Sequence, residues 1–200
     1  PDNYIDLVIV DPPYGIGETD HVEKHKDFAW NNAPPTHDYF VDIERVSKDR
    51  IIWGCNNYEN ETFPHGRIVW NKLGPQVGRR KTSYTYADCE IASQTKNNNI
   101  KMFSFTWIGN VRGNDYQVEW DNASKIHPQQ KPVDLYKWLL KNYAKEGDLI
   151  LDTHMGSGSS YIACLDMGFD YIGYEIDEDY FAAIEQRVYQ FTRQTTLEGI

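Results

Sequence analysis

A chain of 200 residues, 40% hydrophobic and 25% charged, suits one globular domain and excludes an intrinsically disordered or low-complexity protein. No apolar run approaches the roughly eighteen residues of a membrane-spanning helix, and the three widely spaced cysteines form neither a disulfide framework nor a zinc motif. We therefore expect a soluble protein of the reducing cytoplasm without a membrane partner or a metal.

The net charge of −10 argues at first sight against a nucleic-acid partner, but the charge is unevenly distributed. Between Arg67 and Lys131, ten basic residues stand against five acidic ones, so this segment carries +5 and the rest of the chain −15. Such a basic middle can present a positive surface to phosphates, or it can be a solvated loop region.

The first half of the chain predicts strands and one short helix. A continuous apolar run at 5–10 indicates a buried parallel strand, which ends at the two prolines of the stretch 11–15, DPPYG. Further elements predicted here are a helix and two strands, at 38–48, 51–54 and 68–70. From 71 to 126 the periodicity fades, which predicts an irregular insert with a few strands.

Regular alternation of helices and strands returns at Lys131. Pro132 opens a predicted helix, and Gly168 ends another that follows a strand at 148–152. A strand at 171–175 precedes a last helix, whose predicted inner stripe is Phe181, Ile184, Val188 and Phe191. This alternation predicts an α/β fold with a doubly wound, mostly parallel sheet.

A glycine-rich turn follows the strand at 148–152. Glycines at 156 and 158 allow a tight turn that a ligand can approach closely, and the helix after them offers unpaired N–H groups. Glu175 comes nineteen residues after Gly156, where a carboxylate can accept hydrogen bonds from both ribose hydroxyls. A purely structural turn is the alternative. Position 161 is Tyr rather than the third glycine of a dinucleotide site, which favours a smaller nucleoside cofactor.

The DPPY stretch suits methylation of an exocyclic amine. Such a nitrogen is a poor nucleophile because its lone pair is delocalised into the ring. The Asp11 carboxylate and the Pro12 carbonyl can accept both N–H groups and favour a pyramidal nitrogen, and the fixed φ of proline holds that carbonyl in place. Tyr14 offers a ring on which an extruded base can stack. The alternative is an ordinary Pro-Pro turn.

Together these motifs resemble the DNA amino-methyltransferase family, whose members act on adenine N6 or cytosine N4. The family has a (D/N/S)-P-P-(Y/F/W) motif and a glycine-rich cofactor loop, and the block at 127–132, HPQQKP, resembles its HPTQKP. The fragments WGCNNY (53–58), IVWNK (68–72) and ADCE (87–90) are also similar to its compact phage and restriction-type members. The DPPY stretch comes first and the glycine loop last, an order that resembles the permuted β subclass.

The resemblance implies a circularly permuted, Rossmann-like S-adenosylmethionine methyltransferase in one domain, 1–200. Within it we expect a catalytic half at 1–72, a target-recognition insert at 73–126 and a cofactor-binding half at 127–200. The implied target-base residues are Asp11, Pro12, Pro13 and Tyr14. The implied S-adenosylmethionine residues are Lys131, Asp152, Gly156, Ser157, Gly158, Ser159 and Glu175. The predicted DNA-binding residues are Arg79, Arg80, Lys81 and Arg112.

Lys131 and Asp177 each have two possible interpretations, and His154 departs from the family pattern. Lys131 is expected near the cofactor carboxylate, or else as a solvated lysine at a helix start. Asp177 is expected to cap the last helix rather than to contact the cofactor. His154 stands where the family has an aromatic residue beside the methionine moiety of the cofactor.

The expected function is site-specific methylation of adenine N6 in double-stranded DNA, as in restriction-modification. Cytosine N4 is the nearest alternative target. The enzymes for that target tend to carry Ser where this chain has Asp11. A non-catalytic DNA-binding relative is the other alternative, and a homodimer is an open assembly. Because Pro1 lies one strand before a motif, we expect further residues to precede it.

Overall fold

The structure is a computed structural model that describes residues 1–15, 33–73, 87–108, 111–112 and 125–198. Within these ranges strands and helices alternate in the first and last parts of the chain, and six consecutive strands lie between the first two helices. The elements are β1 (Ile5–Val10), α1 (His37–Val46), β2 (Ser47–Trp53), β3 (Gly66–Asn71), β4 (Cys89–Gln94), β5 (Ile100–Ser104), β6 (Trp107–Ile108), β7 (Val111–Arg112), α2 (Val133–Tyr143), β8 (Leu149–Asp152), α3 (Ser159–Met167), β9 (Asp170–Gly173) and α4 (Glu178–Glu198).

Seven of the strands form one sheet in the order β5-β3-β4-β2-β1-β8-β9. β1 is parallel to β2 and β8, and β8 is parallel to β9. β4 runs antiparallel to both β2 and β3, and β5 is parallel to β3. Because β2, β1, β8 and β9 run the same way, their carboxyl ends lie along one edge, where α/β sheets place ligands.

Helices cover both faces of the sheet. Phe40 and Ile43 of α1 pack on one face against the apolar side chains of β1, including Val8 and Val10. On the other face, α2 and α3 pack Leu135, Leu139 and Ile162 against Leu7 and Ile9. The apolar residues of β1 are buried on both sides, which explains the unbroken hydrophobic run in its sequence. This is the predicted α/β Rossmann-like arrangement.

The predicted elements at 5–10, 38–48, 51–54, 68–70 and 148–152 match observed elements within a few residues. Gly168 ends α3 with φ +74°, as its sequence position predicts. The strand predicted to reach Glu175 ends earlier, at Gly173. Within 73–126, β4 and β5 belong to the central sheet, so part of the predicted insert is scaffold. The permuted order of the subclass stays a prediction.

Most of the predicted inner stripe of α4 is confirmed, because Ile184 is buried and Val188 and Phe191 pack against the core. The prediction for Phe181 is wrong, since its side chain is 43% exposed. Arg187, which was not predicted, is buried, and its guanidinium donates to the carbonyl oxygen of Ser157 in the loop before α3. None of the helices in the described ranges has the length and apolarity that crossing a membrane requires.

Candidate active site

The predicted site residues meet at the carboxyl edge of the parallel strands. Asp11 directly follows β1, Asp152 is the last residue of β8, and Glu175 comes two residues after β9. Because these strands are neighbours in the sheet, residues more than 140 positions apart in sequence (Asp11 and Asp152) lie on one edge. The DPPY loop and the glycine-rich loop are therefore adjacent, as the sequence predicts.

Three protein donors orient the acceptor groups of the DPPY loop. The Tyr14 hydroxyl donates to Oδ1 of Asp11 at 2.6 Å, and Nζ of Lys131 donates to Oδ2 at 2.5 Å. The hydroxyl of Tyr58, a buried residue, donates to the Pro12 carbonyl oxygen at 2.9 Å. Carboxylate and carbonyl oxygens each have more than one lone pair, so these contacts fix the acceptors and leave them able to bind an incoming amine.

The half-buried ring of Tyr14 lies against the backbone at Gly54. Gly54 has φ +68°, and a side chain there would overlap the Tyr14 ring. Burial, and then the negative charge of Asp11, raise the pKa of Tyr14 well above its usual value. The phenol is thus neutral and a donor. The predicted stacking of a base on this ring stays a prediction.

Lys131 is buried, and its side chain lies against the DPPY loop. Its ammonium contacts Asp11 and also Oε2 of Glu90, at 2.8 Å, while Lys72 contacts Oε1 of Glu90 at 2.9 Å. Burial works to lower the pKa of Lys131, but Asp11 and Glu90 outweigh it and raise the pKa. The interpretation as a solvated lysine is therefore wrong. Contact with a cofactor carboxylate stays a prediction.

The glycine-rich loop has the backbone conformation that its sequence predicts. Gly156 has φ +54° and Gly158 has φ +71°, both in the left-handed region. A Cβ at Gly158 would also lie 2.7 Å from Cγ2 of Ile184 on α4. Both the positive φ and the contact with Ile184 therefore exclude a larger residue at 158. The loop leads directly into the N-terminus of α3, which begins at Ser159.

Two carboxylates hold this loop through local hydrogen bonds. Glu175 accepts the backbone N–H of Gly156 at 2.7 Å and that of Asp177 at 3.0 Å. Asp152 accepts the His154 N–H at 2.9 Å and the Ser160 hydroxyl at 2.7 Å. Burial raises the pKa of Asp152 to about 7, although these two donors lower it. Asp152 is therefore poised to gain or lose a proton near neutrality.

The glycine-rich loop is also hydrogen-bonded to Arg187 and Lys131. Arg187 donates to the Ser157 carbonyl at 2.6 Å and to the Ser159 hydroxyl at 3.1 Å, and that hydroxyl donates to the Lys131 carbonyl at 2.7 Å. The predicted cofactor residues Ser157 and Ser159 are both buried in these contacts. The Ser157 carbonyl and the Ser159 hydroxyl thus fasten the loop to the protein, and a direct contact of either residue with the cofactor stays a prediction.

His154 lies at the junction of the two loops. Its Nδ1 is 2.9 Å from the Thr153 hydroxyl, and its ring meets the ring of Tyr39 edge-on with 5.5 Å between the centroids. Burial lowers the pKa of His154, so the imidazole is neutral at physiological pH. Asp177 caps α4 as predicted, because its side chain accepts the Tyr180 N–H at 3.0 Å.

The predicted DNA-binding residues lie at or beyond the edge of what is described. Arg79, Arg80 and Lys81 lie outside the described residues. The backbone of Arg112 pairs with that of Trp107 in the small β6-β7 ribbon. Among the residues that the structure describes, no group of three or more His, Cys, Asp or Glu side chains could hold a metal ion.

Sequence reasoning missed the residues that support the target loop. Three of them, Tyr58, Lys72 and Glu90, occur in the three fragments noted for their similarity to the family, but no role was predicted for them. Their spacing to Asp11 carries no periodic signal, because they reach it across strands of the sheet. Arg187 lies next to Val188 of the predicted stripe, and nothing in the sequence marked it as buried.

Comparison with known proteins identifies the family. Residues 39–186 match the family model described as DNA methylase. The chain belongs to the DNA methylase family. Two relatives of this methylase are the type II methyltransferases M2.MboI of Moraxella bovis and M.HpaI of Haemophilus parainfluenzae. They are 22% and 24% identical to it, over 96% and 94% of this chain and 83% and 69% of their own lengths.

Solved structures share the fold of the methylase. The M1.HpyAVI–SAM complex superimposes with a TM-score of 0.53 at 21% identity, covering 92% of this chain and 88% of that one. The cytosine-N4-specific PvuII DNA methyltransferase gives a TM-score of 0.56 at 15% identity, covering 92% and 79%. At these identities the likeness shows the Rossmann-like fold.

Proposed function

We propose that this methylase transfers a methyl group from S-adenosylmethionine to the N6 amine of adenine in double-stranded DNA. The observation that carries the proposal is the pair of fixed acceptors at the end of β1, the Asp11 carboxylate and the Pro12 carbonyl. An exocyclic amine has two N–H groups, and one fits each acceptor. The relatives named type II methyltransferases support a role in restriction-modification.

The cofactor half of the edge fits a nucleoside with a positively charged centre. The glycine turn leads into the N-terminus of α3, and the Glu175 carboxylate lies beside that turn, where it accepts the Gly156 N–H; both observations support ribose binding by Glu175. Ile176, which is 92% exposed beside Glu175, offers an apolar surface to a purine ring. Asp152 can ionise next to a cation because its pKa is about 7. We expect Gly156, Gly158, Asp152 and Glu175 to hold the cofactor.

The residues of the target half account for activation of the amine. S-adenosylmethionine supplies a methyl group on a sulfonium: the amine lone pair forms the C–N bond, the C–S electron pair stays on sulfur, and the nitrogen then loses one proton to water. Asp11 stabilises the positive charge that develops on the nitrogen. Tyr58 keeps the Pro12 carbonyl aimed at the second N–H. Protein side chains replace water around the amine, which strengthens these contacts.

Product analysis tests the proposal directly. The methylase is incubated with methyl-labelled S-adenosylmethionine and unmethylated genomic DNA, which is then digested to nucleosides and separated. We expect the label in N6-methyladenine. Label only in N4-methylcytosine would refute the choice of base, and no label in DNA with wild-type protein would refute DNA methylation.

Cytosine N4 is the second candidate target. Its amine carries the same two N–H groups, so the acceptors alone fit both bases. Aspartate at position 11 favours adenine, since the enzymes for cytosine that the motif resembles tend to carry Ser there. A non-catalytic DNA-binding role is disfavoured by the assembled contacts of Asp11, Pro12 and Tyr14.

A further inference from the structure

A row of four alternating charges leads away from Asp11. In order along the row these are Lys72, Glu90, Lys131 and Asp11, joined by distances of 2.9, 2.8 and 2.5 Å. Their side chains are 18%, 22%, 5% and 14% exposed. The row crosses the carboxyl end of β2, so it connects strands β3 and β4 to the DPPY loop.

Lys131 is held between two carboxylates and an aromatic face. Its ammonium lies 5.5 Å from the centroid of the Trp53 ring, in addition to its contacts with Asp11 and Glu90. The contact with Oε2 of Glu90 has ion-pair distance but lacks hydrogen-bond alignment, so its effect is mainly electrostatic. Burial raises the pKa of Glu90, but Lys131 and then Lys72 lower it to about 2. Glu90 is therefore a carboxylate, and it lies between the two lysines.

This arrangement matters for the reaction because the amine nitrogen becomes positive during methyl transfer. The negative charge of Asp11 stabilises that nitrogen, whereas an ammonium on the same carboxylate opposes it. Because Lys131 also pairs with Glu90, its positive charge is shared between two carboxylates instead of acting on Asp11 alone. With Glu90 neutral, Lys131 would neutralise Asp11 alone and weaken it as an acceptor.

We propose that Glu90 is a positioning residue that acts through Lys131: by sharing this lysine, it keeps Asp11 an effective acceptor for the target amine. The inference rests on the methyl transfer proposed above. Lys72 holds the other oxygen of Glu90, so the carboxylate cannot turn away from Lys131.

The first test separates the charge of Glu90 from its shape. We expect Glu90→Gln, which is isosteric and neutral, to lower kcat about tenfold while the KM for S-adenosylmethionine stays within about twofold. Glu90→Asp keeps the charge and should restore most of the rate. The matched control is Glu44→Gln, which removes a carboxylate from a surface pair with Arg50 and should leave kcat unchanged. If Glu90→Asp is as slow as Glu90→Gln, the proposal is wrong.

The second test asks whether Glu90 acts through Lys131. Rates on genomic DNA are compared for wild type, Glu90→Gln, Lys131→Met and the double variant. We expect the loss from Glu90→Gln to fall from about tenfold to under about twofold once Lys131 is replaced, because coupled residues are not additive. Equal losses in both backgrounds would overturn the proposal.

A stability measurement keeps this inference distinct from the proposed function. If wild-type protein puts no label on DNA, the proposed function fails and the role of Glu90 in methyl transfer fails with it. The same four proteins are then compared in thermal unfolding. A lower Tm for Glu90→Gln only where Lys131 is present would retain the shared lysine as a structural pair, and equal shifts in both backgrounds would overturn that as well.

Discussion

The site has two halves that are held in different ways: the target half is the DPPY loop at 11–15, and the cofactor half is the glycine-rich loop at 152–159 with Glu175. The cofactor loop is fixed by contacts between residues close in sequence: Asp152 binds Ser160, 8 positions away, and Glu175 binds the Gly156 N–H, 19 positions away. The target loop is fixed by Tyr58, 46 positions from Pro12, and by Lys131, 120 positions from Asp11. The glycine-rich loop is thus held by Asp152, Glu175 and Arg187, each within 30 positions of its partner. The DPPY loop is instead held by the Tyr58 hydroxyl and the Lys131 ammonium, which come from distant segments.

Because the two halves are held by different contacts, we expect substitutions to impair methyl transfer and cofactor binding separately. A change in the target half should reduce the rate of transfer and spare cofactor affinity, because its side-chain contacts do not involve the glycine turn; only the main-chain carbonyl of Lys131 does, by accepting the Ser159 hydroxyl. A change in the cofactor half should do the reverse. Variants that mix the two effects would break the distinction.

The largest effect is expected for Asp11→Ala, which removes the carboxyl group proposed to accept the target amine. We expect kcat to fall about a thousandfold, in the range found when one preorganised charge-stabilising group is lost, with the dissociation constant for S-adenosylmethionine within about twofold. Label transfer and calorimetry measure the two quantities. Asp42→Ala on the exposed face of α1 is the control, and turnover retained in Asp11→Ala would refute the role of Asp11.

Glu175→Ala should show the opposite pattern. Loss of two charge-assisted ribose bonds is expected to weaken cofactor binding by about 2–3 kcal/mol, roughly 30- to 150-fold in the dissociation constant. The rate at saturating cofactor should change far less. Calorimetry checks the affinity, with the exposed Glu178→Ala in the first turn of α4 as the control. An unchanged dissociation constant would mean that Glu175 serves only to hold the loop.

Cofactor affinity should rise with pH through the titration of Asp152. The pKa of this carboxyl, about 7, lies above the ordinary value, so the group is mostly protonated below pH 7. A bound cation lowers that pKa and binding therefore releases a proton. We expect affinity to increase about tenfold from pH 6 to pH 8 and to level off above it.

Calorimetry in buffers of different ionisation enthalpy measures this proton release. Asp152→Asn cannot ionise, so its affinity should be flat over the same range. A wild-type affinity that falls with rising pH would show that Asp152 is not beside the charged part of the cofactor.

The smallest effect is expected outside both halves, for Arg79 and Arg80. If these side chains neutralise phosphates, replacing both by Ala should weaken cognate and random duplexes severalfold alike. It should also reduce the slope of log affinity against log salt by about two units. Filter binding over a salt series measures both quantities. A loss of specificity at one position would instead indicate a bidentate contact with guanine, and an unchanged slope would remove the pair from the DNA surface.

The local features of this methylase follow from its sequence. The run at 5–10 forms β1 because its apolar residues suit a strand buried on both faces, and the prolines after it end the strand at the place where Asp11 is needed. The turn at Gly156 and Gly158 follows from the freedom of glycine at positive φ. Each of these depends on neighbours within a few positions.

Only the tertiary structure decided which groups surround Asp11. Lys131 could be a solvated helix-start residue in sequence, but the sheet brings it onto Asp11 and Glu90. Arg187 lies outside the predicted stripe of α4, yet it is buried, and its guanidinium donates to the carbonyl oxygen of Ser157. Ion pairs between distant segments leave no periodic pattern in the chain, since their partners become neighbours only when strands pair. The sequence therefore determined β1, β8 and the glycine turn, whereas the pairing of the strands determined which charged groups meet beside Asp11.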